Sequence, residues 1–417
     1  MKSWHCIVGI LLITATTLLI EIPSDTWLTS ATLSLILGTA ALAYMAVAAL
    51  LSSRWRAVEV LFGGLDRVYE THKWLGIWAL VFASHHFVFK AYLDVWHSVP
   101  ILEMSKYWTR LVRQLSYVAL GMIVLLALNR NIPYGLWRWW HKLSGPLFVI
   151  VILHWLSFKS PMTLSNPAGI WLALLCGTGA LAAFYKLLLY PFIATAGEYK
   201  VSAVSLGKNS LSLELEPIHS GFTFKAGQFA FLAMKEKGLR EPHPFTIAAA
   251  HSDSGRIKFV IRALGDYTQK LRDQVKVGML ADIYAPYGRF KRQPGAEREI
   301  WIGGGVGISP FISWLQDTSA SHFDNATLVY CFNPSRAFPS VELLQGMAEK
   351  RGVEFVGNGG GADQLAETVR QAATQTDPAQ IHVSFCGPKG LMSRVRELMR
   401  ESGIPEGNLH YEFFEFR

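Results

Sequence analysis

The sequence predicts an all-α membrane bundle of six helices, then a soluble module made of an antiparallel β-barrel and a doubly wound α/β domain. Three observations predict it. Apolar runs follow one another from Trp4 to about Phe192 and none appears after Gly197; each is long enough for the ~20 helical residues that a ~30 Å hydrocarbon core requires. From Glu198 to about Pro294, short alternating strands such as Tyr199-Lys-Val-Ser-Ala-Val, Ser210-Leu-Ser-Leu-Glu-Leu and Arg256-Ile-Lys-Phe-Val-Ile-Arg are parted by glycine turns, the pattern of a small antiparallel barrel. From Arg298 onward, strands beginning at Glu299, Thr327, Val353 and Ile381 alternate with helical stretches, the pattern of a parallel sheet. The expected domains are 1–194, 197–295 and 296–417.

Composition agrees with that division. Of 417 residues, 51% are apolar and 17% charged, too apolar for a wholly soluble chain and too charged for a wholly embedded one. The four cysteines, Cys6, Cys176, Cys331 and Cys386, stand in no paired or CxxC spacing. They indicate neither a disulfide framework nor a cysteine-ligated cluster, and they suit a reducing cytosol. The excess of 39 Lys and Arg over 31 Asp and Glu gathers beside the apolar runs, so it reads as membrane orientation rather than nucleic-acid binding.

The spans fall at 5–22, 27–51, 68–93, 110–128, 136–157 and 168–192, and they are helices because lipid offers backbone groups no other partner. Lys2, Arg54, Arg56, Arg67, Lys73, Arg130, Arg138 and Lys142 collect on one side, opposite Glu21 and Asp25. That side is expected to be cytoplasmic, with Lys106, Arg110, Arg113 and Lys159 as the minority outside. Six spans return the soluble half to the cytoplasmic face of the cell (inner) membrane. The first run is read as a retained helix, since signal runs are typically about 7 to 15 residues.

Histidines inside spans carry the chemistry. His72, His85 and His86 lie in the third span and His141 and His154 in the fifth, and ionisable groups at such depth mark functional sites. His72 and His86 are fourteen apart, so they return to within about 40° of one helix face and stand about 21 Å apart along the axis. That separation fits two stacked haems. His85 points about 140° away from His72, which favours His86. His141 and His154 are thirteen apart and fail the same arithmetic, but Gly145 and Pro146 lie between them, and a proline irregularity realigns such a pair. Hydrogen bonding within a bundle explains one histidine; two pairs near opposite ends of two helices argue for haem with both axial positions filled by imidazole. Zinc would need its four ligands in one cluster. Trp78 and Phe148 sit at the depth between the pairs, with packing as their first role. Lys90, Arg110 and Arg113 suit haem propionates, an anionic product or interfacial snorkelling.

In the soluble half, Gly303-Gly-Gly-Val-Gly-Ile-Ser-Pro310 joins a strand to a helix. Ile308 stands where a GxGxxG fingerprint has its last glycine, yet the physics is related: bare backbone amides at a helix N-terminus receive a pyrophosphate, and Pro310 suits the first turn. His243-Pro-Phe-Thr-Ile-Ala and Arg262-Ala-Leu-Gly-Asp-Tyr-Thr268 place an arginine fork and a hydroxyl for a pyrophosphate, and an aromatic with a polar neighbour for a planar ring. A buried strand with capped ends gives the same pattern.

Taken in order, the paired intramembrane histidines, HPFT, IRALGDYT, the APYG turn at Ala285 to Gly288, GGGVGISP, Cys386-Gly-Pro and the aromatic C-terminus resemble the NADPH oxidase and ferric reductase family over nearly the whole chain. The resemblance implies a ferredoxin-NADP reductase-like soluble module. It implies one haem b between His72 and His141 on the cytoplasmic side and a second between His86 and His154. FAD is implied on His243, Pro244, Phe245, Thr246, Arg262, Gly265 and Thr268. NADPH or NADH is implied near Gly303, Gly304, Gly305, Gly307 and Pro310 and at Cys386, Gly387 and Pro388. Within Tyr411-Glu-Phe-Phe-Glu-Phe-Arg417, Phe414 is similar to the ring that covers the flavin, with Phe413 and Phe416 as neighbouring alternatives, and Cys386 and Phe414 are the expected catalytic residues. Arg336 suits a 2′-phosphate. The resemblance further implies that hydride passes from NAD(P)H to flavin and that single electrons then cross two haems to oxygen, giving superoxide, or to a ferric chelate. No obligatory protein partner is expected, although feeding a periplasmic partner protein is a third use of the same wiring. The chain has Lys90 where some oxidases carry a histidine, and it lacks a calcium-binding segment.

Overall fold

The computed structural model describes residues 2–129, 131–194, 196–293, 295–319, 323–361 and 363–412. Two compact units result, one ending at Ile193 and the other beginning at Ala194.

The first unit is all helix. It contains α1 (Ser3–Glu21), α2 (Ser30–Ser52), α3 (Arg56–Phe62), α4 (Leu65–Val88), α5 (Lys106–Leu128), α6 (Tyr134–His141), α7 (Ser144–Ser157), α8 (Pro167–Phe184) and, after a wide turn of π-helix at Tyr185–Leu189, α9 (Tyr190–Ile193). The Thr29 side chain caps α2 by accepting the Thr32 N–H at 3.2 Å, which satisfies one of the donors a helix start leaves free. Gly63, at φ 82°, ends α3, a left-handed position that suits glycine. Among the described residues α1, α2, α5 and the run Pro167–Leu189 are long and apolar enough to cross a membrane. The 24-residue α4 is equally long, but Asp66, Arg67, Glu70, His72 and Lys73 in its first half lower its hydropathy. It starts at Leu65, ahead of the expected 68–93, and stops at Val88, because Phe89 turns extended at φ −101° and ψ 135°.

The expected fifth span, 136–157, is two helices. Lys142 and Leu143 interrupt it, and α7 restarts at Ser144 with Pro146 in its first turn. Pro146 has no N–H and its ring clashes with the carbonyl four residues back, so the helix breaks ahead of it. The bundle packs closely on α2: a Cβ at Gly179 of α8 would come 2.7 Å from the Ala46 carbonyl oxygen and 3.1 Å from Phe148. Small residues let membrane helices approach this way.

The second unit has two sheets. Strands β1 (Gly197–Leu206), β2 (Ser210–Pro217), β3 (Phe229–Met234), β4 (His243–Thr246), β5 (Ile257–Arg262) and β6 (Leu280–Tyr287) form an antiparallel sheet of order β4-β3-β6-β1-β2-β5, with α10 (Asp266–Gln274) between β5 and β6. A bridge between Ile247 and Phe259 brings its outer strands together, so it is a nearly closed barrel filled by Tyr199, Leu213, Leu232, Phe259 and Ile283.

Strands β7 (Arg298–Gly304), β8 (Ala326–Cys331), β9 (Glu354–Asn358), β10 (Ile381–Cys386) and β11 (Leu409–Glu412) form a parallel sheet of order β11-β10-β7-β8-β9. Alternate residues of β7 enter opposite layers: Trp301 packs with Phe311 and Ile312 of α11 (Ser309–Gln316) and Leu344 of α12 (Val341–Glu349). Ile300 and Ile302 pack with Val369 of α13 (Gln364–Gln375) and Val395 of α14 (Lys389–Glu401). The period of two along a strand and a helical layer on each face produce that sorting. The chain leaves β7 for β8 on one side and returns as β10 on the other, so a topological switch point, where open α/β sheets bind ligands, lies at the C-terminal ends of β7 and β10. The fold is a membrane helical bundle followed by a ferredoxin-NADP reductase-like module. Strand β11, Leu409-His-Tyr-Glu, is only four residues long, too short for its pattern to announce it.

Candidate functional site

Within the membrane unit, α2 holds both candidate ligands of α4 in the same way. The His72 Nδ1–H donates to the Ala48 carbonyl at 2.9 Å, and the His86 Nδ1–H donates to the Ser34 carbonyl at 3.0 Å. A carbonyl only accepts, so each ring carries its proton on Nδ1 and leaves Nε2 with a free lone pair. Residues 34 and 48 are fourteen apart, as are 72 and 86, so neighbouring helices repeat the contact at matched depth. Gly38 makes room for the second ring: a Cβ there would meet His86 Cγ at 2.6 Å.

The break before Pro146 decides the other side. His141 ends α6 while His154 rides on α7, which removes the thirteen-residue mismatch. The His72 and His141 ring centroids are 5.9 Å apart, and those of His86 and His154 are 6.4 Å apart. Two metal–imidazole bonds of about 2 Å each, with ring nitrogens just over ~1 Å from their centroids, require a separation of about 6 Å. Each pair therefore has room for one iron between its rings. The Nδ1 atoms of His141 and His154 are buried without a hydrogen-bond partner. Among the described residues no group of three or more His, Cys, Asp or Glu can hold a metal ion, which tells against a zinc cluster. The residues thus fit haem. His85 stacks on Phe89 at 4.5 Å, and neither pair includes it.

Between the pairs, Phe148 is buried and Trp78 is 38% exposed. The fully buried Tyr44 stacks on Phe82, which also meets Trp78, both at 5.5 Å. Lys90 lies over Tyr92, and Arg110 and Arg113 are exposed, with Arg113 in electrostatic reach of His86 and His154.

In the barrel, His243, Pro244, Phe245 and Thr246 are β4 itself, paired with β3. The His243 ring stacks on Tyr267 of α10 at 3.7 Å. Burial pushes the Tyr267 hydroxyl up, and the Glu241 charge adds to it, so this phenol stays protonated. Arg262 ends β5 exposed. Gly265 precedes α10, and Thr268 Oγ1 accepts the Leu264 and Gly265 N–H groups at 3.0 and 3.1 Å. The Thr268 hydroxyl therefore shapes the helix start that an anion would meet.

At the switch point the two predicted glycine segments touch. Gly303 is paired with Cys386. A Cβ at Gly307 would lie 2.7 Å from the Cys386 carbonyl carbon, and one at Gly304 would lie 2.8 Å from Pro388 and 3.2 Å from Gly387. Gly305 takes φ 58°, and Pro310 opens α11. The result is a bare backbone cleft at a helix start, suited to phosphate. The Cys386 thiol is fully buried, and burial, then the Glu412 charge, pushes its pKa up, so it is a neutral thiol. Glu412, paired with Cys386 across β10 and β11 and 5% exposed, is a site residue that the sequence reading missed inside an aromatic run. Arg336 is exposed in the turn that follows β8. Phe413, Phe414 and Phe416 lie outside the described residues.

Comparison with known proteins completes the picture. Residues 37–152 match the family described as ferric reductase like transmembrane component, and residues 196–300 match an FAD-binding domain family. The reductase component of propane 2-monooxygenase from Rhodococcus jostii (strain RHA1) is 26% identical over 226 residues, covering 50% of this chain and 60% of that protein. Dual oxidase 2 from Sus scrofa is 27% identical over 295 residues, covering 60% of this chain and 18% of that protein. This chain thus spans less than two thirds of either relative. The crystal structure of flavohemoglobin from Malassezia yamatoensis matches with a TM-score of 0.50 at 16% identity, covering 97% of this chain and 99% of that one, a likeness of fold alone. A ferric reductase-like membrane component and an FAD-binding reductase module in one chain form the architecture of a transmembrane electron-transfer flavoprotein, and this oxidoreductase belongs to the NADPH oxidase and ferric reductase family.

Proposed function

We propose that the protein carries electrons from NADPH, or NADH, on the cytoplasmic face of the cell inner membrane, through FAD and two b haems, to oxygen on the opposite face, giving superoxide. What supports this reading is the pair of facing histidine sets, each with an ~6 Å gap and with Nδ1–H of the α4 member bonded to α2. Bound FAD divides a two-electron donor into single electrons, and haem relays them. The chain's own residues do the rest. Ala48 and Ser34 fix the tautomer and aim of His72 and His86, the kind of outer support that orients a metal ligand. His141 and His154 face them from α6 and α7. Gly303, Gly304, Gly305 and Gly307 let a dinucleotide approach the backbone, with Pro310 in the first turn of α11 and Cys386, Gly387 and Pro388 walling the cleft. The neutral Cys386 thiol keeps charge from the transfer point, and Phe414 is assigned to cover the flavin. Pyrophosphate of FAD is assigned to Arg262 and the α10 start, and a 2′-phosphate to Arg336.

A second reading, ferric-chelate reduction, draws on Lys90, Arg110 and Arg113 at the end nearer His86, since exposed cations concentrate anionic chelates. Purified protein with NADPH and FAD separates the two. Superoxide formed in proportion to NADPH consumed, and abolished in His86→Leu, supports the first. Background oxygen uptake alongside ferric citrate reduction removes it, and activity that appears only with an added protein favours an electron-feeding subunit.

A further inference from the structure

Among the described residues, Lys186 is a cation of the bundle's interior that the haem reading leaves without a task. It sits in the π-helical turn Tyr185–Leu189, its Nζ buried with no hydrogen-bond partner and 3.3 Å from the centroid of the Tyr190 ring. An inserted residue of this kind re-aims side chains and is frequent at functional sites. Its closest charged neighbours are themselves cations, Arg54 and Arg138. Arg54 holds its place through a second irregularity: among the described residues it alone, glycine aside, has positive φ, at 63°. Its guanidinium donates to the Tyr69 and Tyr190 hydroxyls at 2.6 and 3.1 Å. A π turn and one left-handed residue thus deliver positive charge to one spot, and strain of the kind Arg54 carries is retained where it serves a function. A buried ammonium with only an aromatic face and like charges beside it calls for an anion.

The place of the cluster says which anion. Tyr69 precedes His72 by three residues on α4, and Arg138 precedes His141 by three on α6, so both lie one turn from the facing rings on the same helix faces. Arg54 follows the end of α2, six residues beyond Ala48, whose carbonyl holds His72. We propose that Lys186, with Arg54, forms a carboxylate-binding nest for the propionates of the haem held by His72 and His141. This rests on the haem reading above. Lys186 is a positioning residue: it fixes the macrocycle's rotation between the two imidazoles, and its charge favours the reduced form.

The test is potentiometric titration of full-length protein in phosphatidylcholine vesicles, with and without phosphatidylglycerol, following the low-spin haem bands. Lys186→Met retains two haems and lowers one of the two midpoint potentials by about tenfold in equilibrium constant, ~59 mV for one electron, the scale of one charge at ~12 Å and an effective dielectric of ~20. Lys186→Arg restores it. Tyr190→Phe, a gentler change that loosens Arg54, moves the same potential the same way by a smaller factor, so the inference stands testable if Lys186→Met misfolds. Two haems with unchanged potentials in Lys186→Met and Tyr190→Phe overturn it. So does a wild-type potential that depends on phosphatidylglycerol, which assigns the nest to a lipid phosphate. A wild-type chain without two low-spin haems removes the haem reading and this assignment together.

Discussion

Replacing Gly38 by alanine asks whether the His86 ring has to sit where it does. The new Cβ would lie 2.6 Å from His86 Cγ and 2.8 Å from Cε1, against the root of a rigid ring rather than the tip of a flexible chain. The ring cannot simply recoil, because its Nδ1–H is tied to the Ser34 carbonyl at 3.0 Å, with Ser34 Oγ at 3.3 Å. Overpacking of this sort costs about 1–3 kcal/mol, and losing the hydrogen bond adds about 0.5–1.5 kcal/mol. A combined loss of about 1.5–4.5 kcal/mol weakens ligation by roughly 10- to 2000-fold. His72 is held independently by Ala48, so the effect is confined to one pair. The assay is the pyridine haemochromogen content per chain with the low-spin absorption spectrum: Gly38→Ala falls from two haems toward one and loses electron delivery to the acceptor, while flavin reduction by NADPH persists. Two haems with wild-type spectrum and potentials in this variant would refute the reasoning.

Three further outcomes follow from the second unit. Arg292 binds the 2% exposed Glu299 through Nε at 3.0 Å and Nη2 at 2.8 Å, so Arg292→Met strands a buried carboxylate and destabilises this unit by about 3–5 kcal/mol. Thermal unfolding of the full chain reads it, and the double variant Arg292→Met, Glu299→Leu recovers most of the loss. Gly307→Ala drives a Cβ into the Cys386 backbone, so the KM for NADPH rises at least ~10-fold, in line with a packing cost above ~1.4 kcal/mol, while FAD content stays constant; an unchanged KM contradicts the cleft assignment. His410 is held with a lowered pKa by burial and then by its neighbour His382, 3.1 Å away across the β10–β11 edge. A lowered histidine pKa means that the unfolded chain binds more protons, so stability rises with pH and is lost as pH falls through the ordinary histidine value near ~6.5. His410→Gln flattens that acid limb in melting curves taken from pH 5 to 8, and an identical limb in the variant removes the linkage.

Helical periodicity made part of the site legible and local backbone chemistry hid the rest. His72 and His86 share a face because fourteen residues close nearly four turns, and α4 is continuous across them. His141 and His154 could not be paired by arithmetic. What aligns them is the interruption at Lys142 and Leu143, whose cause, Pro146, is visible in the sequence while its place and angle are not. The acceptors on α2 are backbone carbonyls, which carry no residue signature, and Gly38 reads as one more small residue in an alanine-rich run. Lys186 is buried in an apolar stretch, and its role depends on a π turn that no periodicity announces. In the second unit the glycine loop was legible from its residues as an anion site, and Cys386-Gly-Pro only through the family resemblance. Their meeting follows from β7 and β10 being neighbours, a fact of strand order, and the same order places Glu412 beside Cys386.

The central claim is that two facing histidine pairs each hold a haem. A reduced-minus-oxidised spectrum of the purified full-length chain, with iron and haem counted per polypeptide, tests it most directly. The account predicts two low-spin b haems per chain, each lost separately in His72→Leu and His86→Leu. One haem, none, or a high-spin spectrum with an open axial position would contradict it.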